Sequence, residues 1–152
     1  MPRYKAPVRD MQFILHDLLA IESYTDLPGF SEISTELVDQ VLESGARFSE
    51  EVLFPINFSG DKEGCTRNPD ASVTTPKGFK EAYQQYIEGG WQGLSHPIEY
   101  GGQGMPMSLG IIKSEMIGTA NWAWSMYPGL SLGAMNTLML HGTEKQKEIY
   151  LT

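Results

Sequence analysis

The chain has 152 residues, 41% of them apolar and 20% charged, a globular composition long enough for one core without a metal or disulfide staple. Its formal charge of −8, from 11 basic and 19 acidic residues with no cluster of Lys or Arg, excludes nucleic acid as a main partner. A single cysteine, Cys65, excludes an internal disulfide, and with no second thiol nearby it reads as an incidental free thiol. No run of about 18 apolar residues is present to span a membrane, and Met1-Pro-Arg-Tyr-Lys-Ala-Pro lacks the apolar core of a signal peptide. A reducing, cytoplasmic setting is expected.

Taken in chain order, Met11, Ile14, Leu15, Leu18 and Leu19 recur at three- and four-residue steps and predict a short amphipathic helix. Leu27-Pro-Gly-Phe reads as a turn. A longer helix is predicted from about Ser34 to Phe54 on the stripe Leu37, Val38, Val41, Leu42, Phe48 and Val52, with Pro55 ending it. Gly45 inside that helix costs about 1 kcal/mol against Ala, which implies close packing there. Residues 55–75 show no periodicity and read as a long loop. Thr75-Pro76 predicts the start of a helix with the apolar face Phe79, Ala82, Tyr83, Tyr86 and Ile87, closed by Gly89-Gly90.

The segment from Trp91 to Pro106 is too rich in Gly and Pro for helix and shows no strand period. A helix is predicted from Ser108 to about Asn121. The aromatic stretch after it is short, broken by Pro128-Gly129. Leu130 to His141 is apolar on nearly all sides and predicts a central buried helix. Thr143 and Gln146 have the spacing of a capping box, which marks a further helix start. That helix has no stop signal before Thr152, which suggests a piece of a longer protein. No strand is predicted. The expected fold is all-α, a bundle of about six to seven helices, with residues 1–33 forming an extension that carries a short helix and residues 34–152 the main domain.

Chemistry is sparse. His16, His96 and His141 match no metal-ligand spacing and read as solvated or capping side chains, so no metal site is assigned. Glu99 and Glu115 flank the glycine-rich segment and read as surface charge. The cluster Tyr100-Gly-Gly-Gln-Gly-Met-Pro has no preceding strand, no third glycine at the dinucleotide spacing and no Walker-type lysine. Gly101, Gly102 and Gly104 are therefore read as structural, shaping a tight connection. Trp122, Trp124, Met126, Tyr127, Met135 and Met139 concentrate aromatic rings and polarizable thioethers. Such a stripe is most often core, and it also suits a groove for an elongated apolar ligand.

Two stretches together resemble the acyl-CoA dehydrogenase family. His96-Pro-Ile-Glu-Tyr-Gly-Gly-Gln-Gly-Met-Pro is similar to that family's P-x-x-x-GG-x-G loop, and Gly142-Thr-Glu-Lys-Gln-Lys-Glu-Ile-Tyr-Leu to its helix start ahead of the β domain. Tyr4-Lys-Ala-Pro, with Asp10, Met11 and Phe13, resembles the opening of members with an N-terminal extension, similar to long-chain and 3-methylthiopropionyl-CoA dehydrogenases. Phe79-Lys-Glu-Ala-Tyr and Gly90-Trp-Gln-Gly-Leu are similar to that subgroup as well.

The resemblance implies the family's N-terminal α-domain, without its β domain and C-terminal α-domain. The full-length enzyme would use FAD to oxidise an acyl-CoA to a trans-2-enoyl-CoA and pass electrons to an electron-transfer flavoprotein, as a homo-oligomer. The family's glutamate base belongs to the C-terminal domain, so no catalytic residue is assigned and this chain alone is expected to be inactive. Met135 and Met139 are implied to line the acyl pocket. The competing expectation is a stand-alone helical module that binds a ligand or protein without redox activity.

Overall fold

A computed structural model of the chain describes residues 3–151. Seven α-helices follow one another: α1 (Val8–Gln12), α2 (Thr35–Arg47), α3 (Asn57–Glu63), α4 (Phe79–Glu88), α5 (Met107–Ala120), α6 (Trp122–His141) and α7 (Glu144–Tyr150). The expected all-α bundle is what forms. Both α1 and α2 continue into wider π-helical segments, Phe13–Leu18 and Phe48–Leu53.

The core assembles on α2. The Ser34 Oγ accepts from the Leu37 amide at 3.2 Å and caps the helix. Behind that cap Val38 and Leu42, and farther on Leu53, are fully buried. Helix α1 packs along one side of α2 and α5 along another. Gly45 permits the close packing its position implied, because the Met116 terminal methyl stands where a Cβ would go. Across from α2, Trp124 on α6 is wholly buried among the rings of Phe48, Tyr83 and Tyr86, at centroid distances of 6.0, 6.2 and 5.5 Å. Its indole N–H donates to the Phe79 carbonyl at 3.1 Å, so the polar end of the ring is satisfied.

Several expectations are corrected. The 55–75 segment is not all loop: α3 forms there, and a two-stranded antiparallel pair, β1 (Thr66–Arg67) with β2 (Val73–Thr74), follows it. Helix α3 has little apolar surface of its own, and it forms because Gly60 lets its backbone lie against the Phe79 ring. The strand pair is held by turn chemistry, with the Asn68 side-chain amide donating to Ser72 Oγ and Thr74 Oγ1 and the Asp70 carboxylate accepting from the Ser72 amide. Helix α4 starts at Phe79 rather than at Thr75, after Gly78 in the left-handed region at φ 88°. The Trp91–Pro106 segment holds two single 3-10 turns, Trp91–Gly93 and Ile98–Tyr100.

The largest correction concerns α6. Pro128 and Gly129 do not break it: the helix runs through both, and Pro128 is buried inside it. Proline forfeits one helical hydrogen bond there, which the packing of this helix against α5 and α3 offsets. Nor is the stretch after Pro128 a central buried helix. Leu130 is 79% exposed and Leu140 78%, because no described element lies on that side of α6. The capping box is as expected, with the Gln146 amide donating to Thr143 Oγ1 at 3.3 Å and the Thr143 amide to Gln146 Oε1 at 2.9 Å.

Candidate functional site

The glycine-rich connection folds back on the segment before it. The amides of Gln103, Gly104 and Met105 donate to the carbonyls of Gly93, His96 and Leu94 at 2.9, 2.8 and 3.0 Å. Gly101 and Gly104 adopt φ of 79° and 65°, and a Cβ on Gly102 would run into the His96 carbonyl. These three glycines lie together in one tight ribbon, so their neighbours Gln92, Ser95 and His96 face α5 and α6.

Between α5 and α6 lies a cleft built on one unexpected charge. Leu109, Lys113, Met116, Ile117 and Ala120 share the inner stripe of α5, and all five are buried. Lys113 is therefore carried into the interior by the helix period, with an exposure of 4%. Its Nζ donates to the Tyr86 hydroxyl and to the Trp91 carbonyl, each at 3.1 Å, and lies 5.5 Å from the centre of the Tyr86 ring. No carboxylate pairs with it among the described residues. Burial pushes its pKa down to about 8. Burial also holds the His96 imidazole below its usual range, and the Lys113 charge adds to that.

Two cavities meet at this lysine. One, of about 270 Å³, is walled mainly by Ile117, Trp122, Met126, Pro128, Leu130 and Leu132. The other, of about 120 Å³, mixes the polar side chains of Gln92, His96 and Asn136 with the apolar Met107, Ile111 and Leu132. The Gln92 Oε1 atom is buried without a hydrogen-bond partner, while its amide nitrogen reaches the Pro128 carbonyl at 3.5 Å and the Met135 sulfur at 3.8 Å.

Sequence reasoning passed over Lys113, although the signal was present: one cation spaced four residues after Leu109 and three before Met116 on an apolar stripe. Met135 and Met139 are both half-buried on α6, Met135 beside Gln92, and neither walls the 270 Å³ cavity. Glu99 and Glu115 are exposed, as expected. His141 is exposed at the end of α6, but the other two histidines are not solvated. His96 is buried. The His16 Nδ1 pairs with Glu22, and its Nε2 with Asp39 at 3.1 Å. Among the described residues no group of three or more His, Cys, Asp or Glu side chains is arranged to hold a metal ion, and no helix is long and apolar enough to cross a membrane.

The family model for the acyl-CoA dehydrogenase N-terminal domain matches residues 36–152. The chain belongs to the acyl-CoA dehydrogenase family. It is 37% identical over 148 residues to a 3-methylmercaptopropionyl-CoA dehydrogenase of Ruegeria pomeroyi, covering 97% of this chain and 25% of that protein. It is 29% identical to the broad-specificity linear acyl-CoA dehydrogenase FadE5 of Mycobacterium tuberculosis, covering 97% of this chain and 24% of that one. A mitochondrial isovaleryl-CoA dehydrogenase of Pongo abelii is 30% identical over 141 residues, covering 90% of this chain and 29% of that enzyme. The chain thus spans about a quarter of the length of these relatives.

The acyl-CoA dehydrogenase family implies a flavin, and the described residues do not by themselves fit one. A pyrophosphate needs free backbone amides or a basic cluster. The amides of Gly101, Gly102, Gln103 and Gly104 are all used by backbone carbonyls. Lys113, the only deeply buried Lys or Arg among the described residues, is engaged by Tyr86 and Trp91. No step through the flavin is derived from this domain.

Proposed function

We propose that this chain serves as the N-terminal helical domain of an FAD-dependent acyl-CoA dehydrogenase whose full-length form oxidises an acyl-CoA to a trans-2-enoyl-CoA. The observation that carries the reading is the family match over residues 36–152, joined to relatives named as acyl-CoA dehydrogenases. In this reading residues 34–152 form the domain and residues 1–33 an extension that packs on it. The exposed face of α6 meets other parts of the enzyme. Met135 and Met139 lie one turn apart and contribute apolar, adaptable surface to the acyl pocket once that face is covered. Gly101, Gly102 and Gly104 keep the connection tight enough to hold α5 and α6 in place. FAD, an electron-transfer flavoprotein as electron acceptor, a homo-oligomeric assembly and a cytoplasmic location complete the proposal. The 152-residue chain alone is inactive.

The test is the native gene product. A polypeptide well above 16.9 kDa, yellow with bound flavin and bleached by an acyl-CoA in the absence of oxygen, is the expected result. A colourless product that leaves acyl-CoA unchanged would overturn the redox reading in favour of a helical binding module.

A further inference from the structure

A separate cavity of about 380 Å³ lies between α4, the start of α6 and the end of β2, and shares no wall residue with the cleft between α5 and α6. The helix period makes the separation. Trp122 and Met126 turn toward that cleft, whereas Trp124 and Tyr127, three positions apart, turn toward α4. Phe79 and Tyr83, four apart on α4, face them from the other wall. Phe79 and Trp124 are buried on the inner side, Tyr83 is half-buried, and Tyr127 is exposed at the rim. The Phe79 and Tyr127 rings meet edge to face at 6.0 Å, and Tyr83 and Trp124 lie tilted at 6.2 Å. Against these four rings stands one charge. Lys80 is the single ionised side chain among the walls, and it forms no ion pair among the described residues. The hydroxyl of half-buried Thr75 lines the same cavity.

Four rings alone suit either a flat aromatic group or an organic cation, since ring faces attract positive charge. Lys80 decides between them, because its ammonium repels a cation and draws an anion. We propose that this cavity is a binding site for a small aryl carboxylate, its ring packed among Phe79, Tyr83, Trp124 and Tyr127 and its carboxylate accepting from Lys80 Nζ. Thr75 offers a second donor to the same group. The space holds about a dozen groups the size of a water molecule, at ~30 Å³ each, which is enough for a single-ring acid. Edge-to-face contacts favour a flat ring over a saturated one of equal size. Lys80 is exposed and its charge is screened, so the rings supply most of the affinity and the lysine the preference for an acid. The site goes beyond the proposed function: it requires neither flavin nor coenzyme A, and it stands or falls without an oxidation being measured.

The experiment is an NMR titration of the isotope-labelled 152-residue chain in low-salt buffer with sodium phenylacetate. The controls are 2-phenylethanol as the uncharged aryl compound and cyclohexylacetate as the acid with a saturated ring. The Trp124 indole N–H and the amides of Lys80 and Tyr127 report on this cavity, and the Trp122 indole reports on the cleft with α5. The expected result is saturable phenylacetate binding read at Trp124, about three- to fivefold tighter than phenylethanol and at least about twofold tighter than cyclohexylacetate. Lys80→Gln, a change at an exposed position that leaves the core intact, is expected to bring phenylacetate down to the level of phenylethanol. Tyr127→Ala is expected to weaken the acid and the alcohol alike. Phenylacetate no tighter than both controls would overturn the proposal without recourse to any variant. So would shifts centred on Trp122 rather than Trp124, or undiminished phenylacetate binding by Lys80→Gln.

Discussion

Asn121 occupies the single-residue break between α5 and α6 and is fully buried. Its side chain works in two directions. The Oδ1 accepts from the Trp124 amide at 3.0 Å, capping α6, and the Nδ2 donates to the Leu53 carbonyl at 3.2 Å, tying that break to the end of the α2 extension. Truncation to Ala removes both bonds. Loss of an N-cap costs about 1 kcal/mol. Taking a donor from a buried carbonyl costs about 1–3 kcal/mol. Asn121→Ala should therefore lose about 2–4 kcal/mol. In urea, with a slope of about 2 kcal/mol/M, the midpoint of the tryptophan fluorescence transition should fall by roughly 1–2 M. Asn121→Ser keeps an acceptor for the cap and lacks the second arm, so it should recover about 1 kcal/mol of the loss. A loss below about 0.5 kcal/mol for Ala, or a Ser variant no more stable than Ala, would refute this division of roles.

The other expectations rest on separate features. For His16, burial lowers the pKa, but the hydrogen bonds and charges of Asp39 and Glu22 outweigh it and hold the ring above its usual range. A raised histidine stabilises the fold fully below its unfolded pKa and loses that contribution as pH rises through the folded value. The advantage of the native chain over His16→Gln in chemical denaturation should thus be larger at mildly acidic pH than in alkaline buffer, and an advantage that grows with pH would contradict the reading. Ala20 sits in the left-handed region at φ 46°, so Ala20→Gly should stabilise by about 0.5–1 kcal/mol, seen as a higher melting temperature. Gly102→Ala should destabilise by more than about 2 kcal/mol, since its methyl meets the His96 backbone, and a melt unchanged from the native chain would rule out that contact. The bare face of α6 should make the isolated chain self-associate, and Leu130→Lys with Leu140→Lys should reduce this in sedimentation velocity; a native chain that stays monomeric at all concentrations would contradict it.

What the sequence made legible follows from how local each cause is. The Thr143–Gln146 pair acts within a few residues and its capping box forms as the spacing implied, and α2 starts directly after Ser34, close to the start its stripe predicted. The stripes of α2 and α4 are also local patterns, and Val38, Leu42, Phe79, Ala82 and Tyr86 are buried accordingly. By contrast, α3 depends on Gly60 meeting a ring nineteen positions later, and no window over residues 55–75 contains that ring. In α6 the pattern reports that the helix is fit to be covered on every side, which differs from being covered by this stretch of chain. Lys113 was missed because a lone cation on an apolar helix draws notice only once its angular position is compared with Leu109 and Met116. Of the residues put forward for the site, the three glycines could be read from backbone demands alone. The role of Met135 and Met139 depends on surfaces that α6 turns outward.

The widened turns of Phe48–Leu53 turn chain length itself into a constraint. Each residue of an ordinary α-helix advances the register by about 100°. A π-helical segment absorbs extra chain within the same rise, and here it delivers Leu53 with its side chain buried and its carbonyl facing Asn121. Removing one residue from this segment would tighten it into a regular helix and swing Leu53 away from both partners. Exposed Glu51 can vary in identity, but the number of residues between Arg47 and Phe54 cannot drift without the two halves of the core losing their alignment. Insertions and deletions among related chains should therefore avoid this stretch, even where its outward side chains change freely.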